Sequence, residues 1–451
     1  MPGHDLEGLA AEAFLYGYPL VFDLSEVARF TEVGLGVLPA SPFNRFSHAT
    51  QLAGPADTFV SVNNDTIYSI AQLDLGAGPQ LLQVPDSAGR YYVLQFVDAW
   101  TNNFAYVGAR ATGTAAGSYL LTPPGWEGTV PAGAVRISSP TRVASIVGRW
   151  ACAGRDDLPA VAALQQQLTL APAPDAAADL AAAADSATGL PAPTAGVPVD
   201  LELFEKMRVW MRAFPPAPAE VEYQQRFGAL GLLDDETPFL DASPELVKAL
   251  TTGVAAGQER LEALSKAGTV PPVNGWHSVP HIFDYNLDHF EVGTLDDPAW
   301  KIADRDEARV TRALAARVGL WGNHGYEAAY AQVFQDSDGQ PLDGGHRYRI
   351  RFDTLPPVGA FWSLTMYDIP DYFLVANPIS RYSIGDRTPG LRYGPDGSLT
   401  VFLQYHAPED TDQANWLPAP EGDFRPMLRM YQPAPAVLDG SYRLPPVVRV
   451  D

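Results

Sequence analysis

The sequence has a single cysteine, Cys152, which excludes any disulfide within the chain and any cysteine-rich zinc site. It follows Trp150 and Ala151 with no histidine nearby in sequence, so a packed thiol is the expectation rather than a nucleophile. Positive charge is also scarce: 30 Lys and Arg face 53 Asp and Glu, for a net charge of -23. No basic cluster interrupts that acidity, so the electrostatic field repels phosphate backbones and anionic lipid. This argues against nucleic-acid and membrane partners. Long apolar runs are missing too. The best stretch, residues 13–22, is broken by Gly17 and Pro19, and the first cation after the amino terminus is Arg29. Neither a secretory signal nor a membrane span is supported, and the expected location is the cytoplasm. There is no Gly-x-Ser-x-Gly elbow, no phosphate loop and no Gly-x-Gly-x-x-Gly after a strand. The common hydrolase, nucleotide and dinucleotide mechanisms are therefore not indicated, and no cofactor is expected.

What the chain has in quantity is proline and glycine, 41 and 39, with 11% aromatic residues, a mixture suited to many short strands and turns. At 451 residues it is too long for one ordinary core. The expected class is mainly β with α, arranged as two jelly-roll-like β-sandwich domains joined by a helical segment. The expected divisions are an N-terminal helical segment over 1–39, a first sandwich over 40–165, an Ala/Pro-rich linker over 166–199, a helical connecting region over 200–339 and a second sandwich over 340–451. Asp5 is placed to cap a first helix whose end Gly17 and Pro19 disturb. The linker is poor in large apolar side chains and has room for a short Ala-rich helix. Asp200 is expected to cap an amphipathic helix presenting Phe204, Met207, Trp210, Met211 and Phe214, stopped by Pro215 and Pro216. Ser243 with Pro244 opens another helix, and Asp304 a third.

The chemistry-bearing residues concentrate first in Ser61-Val-Asn-Asn-Asp-Thr-Ile-Tyr68, between apolar strand-like segments. Asn63, Asn64, Asp65 and Tyr68 suit the orientation of a polar ligand, and they equally suit a turn. Shortly before them stands His48. It can serve as a proton carrier oriented by Asp65, with Tyr68 or Tyr92 donating to a developing oxyanion, or it can simply bond a loop carbonyl. In the second half, Arg381 follows the turn initiator Asn377-Pro378. It can hold a carboxylate bidentately, pair with Asp386 or cap a turn, and Tyr382 projects beside it. Trp416 reads as a loop anchor. Residues 277–289 bring His277, His281, Asp284, Asp288 and His289 together, but Pro280 breaks the helical spacing, so no metal is expected there.

The runs Asn63-Asn-Asp-Thr-Ile-Tyr68, Gly89-Arg-Tyr-Tyr-Val-Leu-Gln-Phe-Val-Asp-Ala-Trp-Thr-Asn102 and Thr112-Gly-Thr-Ala-Ala-Gly117 resemble domain of unknown function 1254. Ala360-Phe-Trp-Ser-Leu-Thr-Met-Tyr-Asp368, Asn377-Pro-Ile-Ser-Arg-Tyr-Ser-Ile-Gly-Asp386 and Asn415-Trp-Leu-Pro-Ala-Pro420 resemble its usual partner, domain 1214. The resemblance implies two β-sandwich domains joined by helices and frequent assembly as homo-oligomers, with no settled catalytic residues. Many relatives carry an export signal; this sequence shows none. Both domains place aromatic and hydrogen-bonding residues beside their turns, so the sequence reading joins them in one small-molecule site. Asn64, Asp65, Tyr68, Trp100 and Asn102 would come from the first domain, and Trp362, Tyr367, Arg381 and Tyr382 from the second. Three functional classes remain open: a cofactor-independent enzyme performing hydrolysis, elimination or isomerisation, a non-catalytic binder or carrier, and a structural assembly protein.

Overall fold

The computed structural model describes residues 5–57, 61–173, 189–267, 271–409 and 412–451. After a two-stranded ribbon, β1 (Gly34–Leu35) and β2 (Leu38–Pro39), the first half forms β3 (Arg45–His48), β4 (Thr66–Asp74), β5 (Gln80–Val84), β6 (Tyr92–Asp98), β7 (Asn103–Gly108), β8 (Gly117–Thr122), β9 (Ala134–Ser138), β10 (Val143–Ala151) and β11 (Thr169–Pro172). The second half forms β12 (Trp276–Ser278), β13 (Ala328–Val333), β14 (Tyr348–Phe352), β15 (Val358–Asp368), β16 (Ser383–Gly385), β17 (Leu399–Gln404), β18 (Trp416–Pro418), β19 (Phe424–Pro433) and β20 (Val448–Arg449). These strands build two five-stranded and two four-stranded sheets, ordered β3-β4-β10-β6-β7 with β11-β5-β8-β9, and β12-β13-β19-β15-β16 with β18-β17-β14-β20.

Adding nine to each strand of the first half gives the second half, sheet for sheet and neighbour for neighbour. Even the pairing sense repeats: β8–β9 and β17–β18 are the parallel pairs, where a jelly roll would be antiparallel throughout. The chain is thus a tandem of one sandwich topology.

In each half the two sheets close over a shared apolar core. Leu94, Phe96 and Ile146 of the larger first sheet belong to one cluster with Leu82, Leu121 and Ile137 of the smaller. In the second half, Leu364, Leu428 and Met430 do the same with Ile350, Val401 and Leu403. Successive residues of a strand alternate faces, so each five-stranded sheet has a second face to cover. In the first half, part of that face lies under the helix Leu6–Glu32, whose Leu20, Leu24 and Val27 join Ile70 and Val147. Another part meets the second half, where Tyr91, Val93 and Tyr106 cluster with Ala328, Phe361 and Tyr431.

The helices follow local rules, with two exceptions. Asp5 caps the first helix through Gly8 N at 2.9 Å, as expected. That helix does not end at Gly17 and Pro19 but continues to Glu32. Burial in the core holds it through the proline, and Gly17 lets the ends of Met207 and Met211 of the helix Glu202–Ala213 pack close against it. Asp200 does not cap that second helix: a 3-10 turn, Val199–Leu201, precedes it and no side chain caps it. Its apolar face does bury Phe204, Met207, Trp210 and Met211. Ser243 Oγ accepts from Leu246 N at the start of Pro244–Ala267, and Asp304 caps Arg305–Gly319 through Glu307 N. The first helix packs against both of these later helices.

The sheets draw the domain edges differently from the sequence reading. β11 lies in the stretch read as linker, yet it pairs as an edge strand with β5, where Pro172 needs no inward donor. β12 and β13 lie in the stretch read as helical, yet both belong to the second large sheet. The Ala-Ala-Tyr-Ala-Gln-Val of β13 carries weak strand propensity and is fixed by pairing with β19. The Ala-rich helix expected within the linker falls largely outside the described residues.

Candidate functional site

Two places gather polar groups in buried surroundings. The first is the junction between the halves, and the duplicated topology explains its layout. On β10, Arg149 pairs with Tyr68 of β4 and Val93 of β6; on β19, Arg429 pairs with Tyr330 of β13 and Ser363 of β15. Three residues before those tyrosines stand Asp65 and Glu327, equivalent carboxylates just ahead of β4 and β13. Gly108 and Gly385 pair with Val93 and Ser363. A Cβ at either glycine would lie within 2.3 Å of a carbonyl, that of Tyr92 or of Trp362, so each position requires glycine. Two residues beyond them come Arg110 and Arg387.

Each carboxylate is satisfied by the opposite half. Asp65, 3% exposed, accepts from Tyr431 Oη at 2.7 Å and from Ser363 Oγ, while Arg387 donates to its backbone carbonyl at 3.0 Å. Glu327, 1% exposed, accepts from Tyr91 Oη at 2.9 Å and forms an ion pair with Arg110. Burial pushes the Glu327 carboxyl up, against the pull of Arg110. Arg429 donates to Ser61 O at 2.7 Å and to Thr365 Oγ1 at 3.1 Å. Burial pulls its guanidinium down, but Tyr367 and Asp65 outweigh this and raise it.

Several residues singled out in the sequence meet at this junction. Asn63 donates to Tyr68 Oη at 2.9 Å, Asn64 accepts from Ser383 Oγ at 3.3 Å, and Tyr367 donates to Val62 O at 2.7 Å. Tyr382 packs with Ala53, Val62 and Tyr367. Others lie elsewhere. His48 bonds Ser69 Oγ through Nδ1 at 2.8 Å rather than Asp65, and burial lowers its pKa. Tyr92 is stacked on Trp150 inside the first core, and Trp362 is closed in the second. Arg381 caps a turn, donating to the carbonyls of Gln413, Ala414 and Trp416. Trp416 donates to Gln404 O, and burial pushes the Cys152 thiol up.

Trp100 and Asn102 belong to the second place, at the far end of β4. This strand has nine residues, so its two ends stand roughly 26 Å apart at the usual strand rise. That length separates Trp100 and Asn102 from the residues at the junction.

The far end holds a cleft of about 530 Å³. Its walls are Trp100, Trp126 and Phe214 with seven prolines, among them Pro79, Pro124, Pro140 and Pro215, and its polar groups include Asp98, Arg142 and His289. Asp98 ends β6 and organises the loop that carries Trp100. Its Oδ1 accepts from Trp100 N at 2.9 Å and Asn102 N at 2.8 Å, and its Oδ2 from Asn102 Nδ2 at 2.9 Å. Burial raises its pKa, with His289 and Asn102 opposing. Arg312, from the helix Arg305–Gly319, fixes Asn102 by donating to Oδ1 at 2.9 Å. Trp100 Nε1 donates to Phe214 O, tying the loop to the proline turn after the helix Glu202–Ala213. Arg142 reaches Asp74 at 3.2 Å and stacks over Phe214. His289 is held by its backbone to Asn286, and its imidazole makes no hydrogen bond to the described residues.

The other donors of residues 277–289 disperse: His281 bonds Asp284 at 2.6 Å and Asp288 pairs with Arg305. No group of three or more His, Cys, Asp or Glu among the described residues is placed to hold a metal ion. Sequence reasoning missed Asp98, Trp126, Phe214 and His289 as one group. The available signal was the turn Asp98-Ala-Trp-Thr-Asn102, where an aspartate precedes donors two and four residues on.

Fold and cleft define a two-sandwich protein with an aromatic, proline-walled cleft at the end of its first sandwich. Residues 43–172 match the family described as Protein of unknown function (DUF1254), and residues 327–435 match Protein of unknown function (DUF1214); the chain belongs to this two-domain group. The crystal structure of the VPA0106 protein from Vibrio parahaemolyticus is similar over 99% of this chain and 100% of its own, at 25% identity and a TM-score of 0.71. An uncharacterised protein from Burkholderia cenocepacia is 14% identical over 98% of this chain and 89% of its own, with a TM-score of 0.44, a likeness too loose to inform the fold. No curated protein matches the chain. No helix among the described residues is long and apolar enough to cross a membrane.

Proposed function

We propose that this chain binds a small organic molecule in the cleft at the end of the first sandwich. The observation that carries the reading is the cleft itself: its volume of about 530 Å³ lies within the usual range for ligand sites, and aromatic and proline walls surround a few polar groups. The prolines and the Asp98–Asn102–Arg312 chain make those walls rigid before any ligand arrives, which lowers the ordering cost of binding. A net charge of -23 suits a solute-binding protein of the cytoplasm better than a nucleic-acid partner.

Trp100 and Trp126 give the test its signal. Small aromatic and aliphatic compounds should quench or shift intrinsic fluorescence and raise the thermal midpoint, and Trp126→Ala or the volume-sparing Phe214→Leu should weaken both responses while the fold, followed by circular dichroism, persists. Binding unchanged by both substitutions would place the site elsewhere. A cofactor-independent enzyme is the second reading, favoured by one observation, the unbonded imidazole of His289 beside Asp98. In that case His289→Asn leaves affinity nearly intact and removes turnover of a bound compound.

A further inference from the structure

Where the two large sheets meet, buried bases outnumber buried acids. Arg149, Arg425 and Arg429 are 7%, 5% and 4% exposed, and none has a carboxylate within ion-pair distance among the described residues. In a chain with 53 acids and 30 bases this is a local reversal, since a buried charge ordinarily has a counter-ion. Of the two buried carboxylates of the junction, Glu327 is paired with Arg110 and Asp65 bears on Arg429. Arg425 is left among aromatic rings, 4.4 Å from the Tyr372 centroid, with its Nε buried and unpartnered; burial pulls its guanidinium down to about 10. The hydrogen bonds of Arg149 and Arg429 go to neutral partners, such as Gln95 and Trp321 O for the first and Thr365 and Ser61 O for the second. These orient the guanidiniums and leave their charge uncompensated.

The duplication aims two of these cations at one place. Four residues before Asp65 stands Ser61, whose carbonyl takes Arg429; four before Glu327 stands Asn323, whose Oδ1 lies 3.5 Å from Arg149 Nη1. Arg149 Cζ is 5.4 Å from the Tyr68 ring centroid, and the register sets Arg429 beside Tyr330. Burial raises the Tyr330 phenol while Arg149 and Arg429 both oppose it, so the two charges meet at that ring. Asn323 stands beside the same hydroxyl, and its Nδ2 is buried with no hydrogen-bond partner. Tyr68 and Tyr330 nevertheless keep accessible surface, on strands that have neighbours on both sides. Space therefore remains between the halves where unneutralised donors come together.

We propose that the junction binds a small oxyanion, a carboxylate or phosphate group held by Arg149 and Arg429 beside Tyr330 and Asn323. Guanidinium groups take either oxyanion through charge-assisted hydrogen bonds, whereas an amine or a neutral solute leaves the surplus charge in place. The site lies at the opposite end of β4 from the aromatic cleft and stands whether or not the cleft is occupied.

Isothermal titration calorimetry of the whole chain with sodium acetate, sodium phosphate and acetamide, in sodium chloride at matched ionic strength, tests it. At least one of the two anions should bind saturably and acetamide should not. Acetate alone identifies a carboxylate ligand, phosphate alone a phosphate ester, and both an oxyanion site open to either. Asn323→Asp, which sets a carboxylate beside Arg149 in the ligand's stead, should weaken the bound anion about tenfold or more. Tyr330→Phe keeps the ring, removes the hydroxyl and should weaken it about threefold or more. Trp126→Ala, in the cleft, should change neither value. No saturable binding of either anion, acetamide binding as tightly as acetate, or an affinity unchanged in both junction variants overturns the inference. Anion binding lost in Trp126→Ala overturns it too, by placing the anion in the cleft.

Discussion

Substituting Asp65 is the most informative perturbation of the junction between the halves. Its carboxylate is 3% exposed, takes the Tyr431 hydroxyl at 2.7 Å and the Ser363 hydroxyl, and is the acid that supports the buried Arg429 guanidinium. Arg429 has no carboxylate within ion-pair distance among the described residues, and its hydrogen bonds go to a carbonyl and a hydroxyl. Asp65→Ala therefore strands two hydroxyl donors and leaves a buried cation without its nearest negative charge, at a cost of about 3–5 kcal/mol. Asp65→Asn keeps the shape and one acceptor while losing the charge, so roughly 1.5–3 kcal/mol is expected. Tyr431→Phe removes one of the same bonds, and a double-mutant cycle with Asp65→Asn should show coupling of about 0.5–3 kcal/mol. Urea denaturation followed by tryptophan fluorescence and by circular dichroism measures all three. Because Asp65 sits on one half and its partners on the other, the Ala variant should also separate the two signals into distinct transitions. An Asp65→Asn protein within about 0.5 kcal/mol of wild type, with coincident transitions, would show that the carboxylate is not what joins the halves.

Glu327→Gln should weaken the protein by a comparable amount, read by the same denaturation, since it stands at the matching position in the second half and loses its Arg110 ion pair. Stability below neutral pH should depend on Glu205: burial raises its carboxyl, but bonds from Arg208, Thr194 and Thr237 outweigh this and hold it at about 2. Its contribution is present above the unfolded value near 4.5 and is lost as pH falls towards 2, so Glu205→Gln should flatten the stability profile in that window; an unchanged slope counts against the assignment. Gly108→Val, whose Cβ would meet the Tyr92 carbonyl at 2.3 Å, should cost roughly 1–3 kcal/mol in a thermal melt, whereas Gly422→Val, with open space around it and no positive φ, should not suffer that clash.

Features written in neighbouring residues were legible in the sequence. Asp5, Ser243 and Asp304 announce helix starts because a cap needs only its own first turn. The face of Phe204, Met207, Trp210 and Met211 is equally local. Asp65 stood out for its setting among strands, and the junction indeed receives it. What escaped depends on distant pairing. β13 is mostly alanine and becomes a strand through β19. Arg149 and Arg429 look like ordinary charges until the register sets each opposite a tyrosine. Asp98 and His289 come from separate segments that only the folded cleft brings together. The duplication itself hides because the halves share topology and a few positions, such as Asp98 and Asp368 at the ends of β6 and β15, with little residue identity between them.

The first helix packs against helices that begin at Pro244 and Arg305, so its partners are made long after it is. At translation speeds of about 5–20 residues per second, its apolar side waits on the order of ten seconds or more before the covering segments leave the ribosome. During that interval Phe14 and Leu15 lack Leu261 and Ala313, two of the residues they finally pack with. The side of the first helix that meets Leu261 and Ala313 is therefore the last part of it to be covered during synthesis.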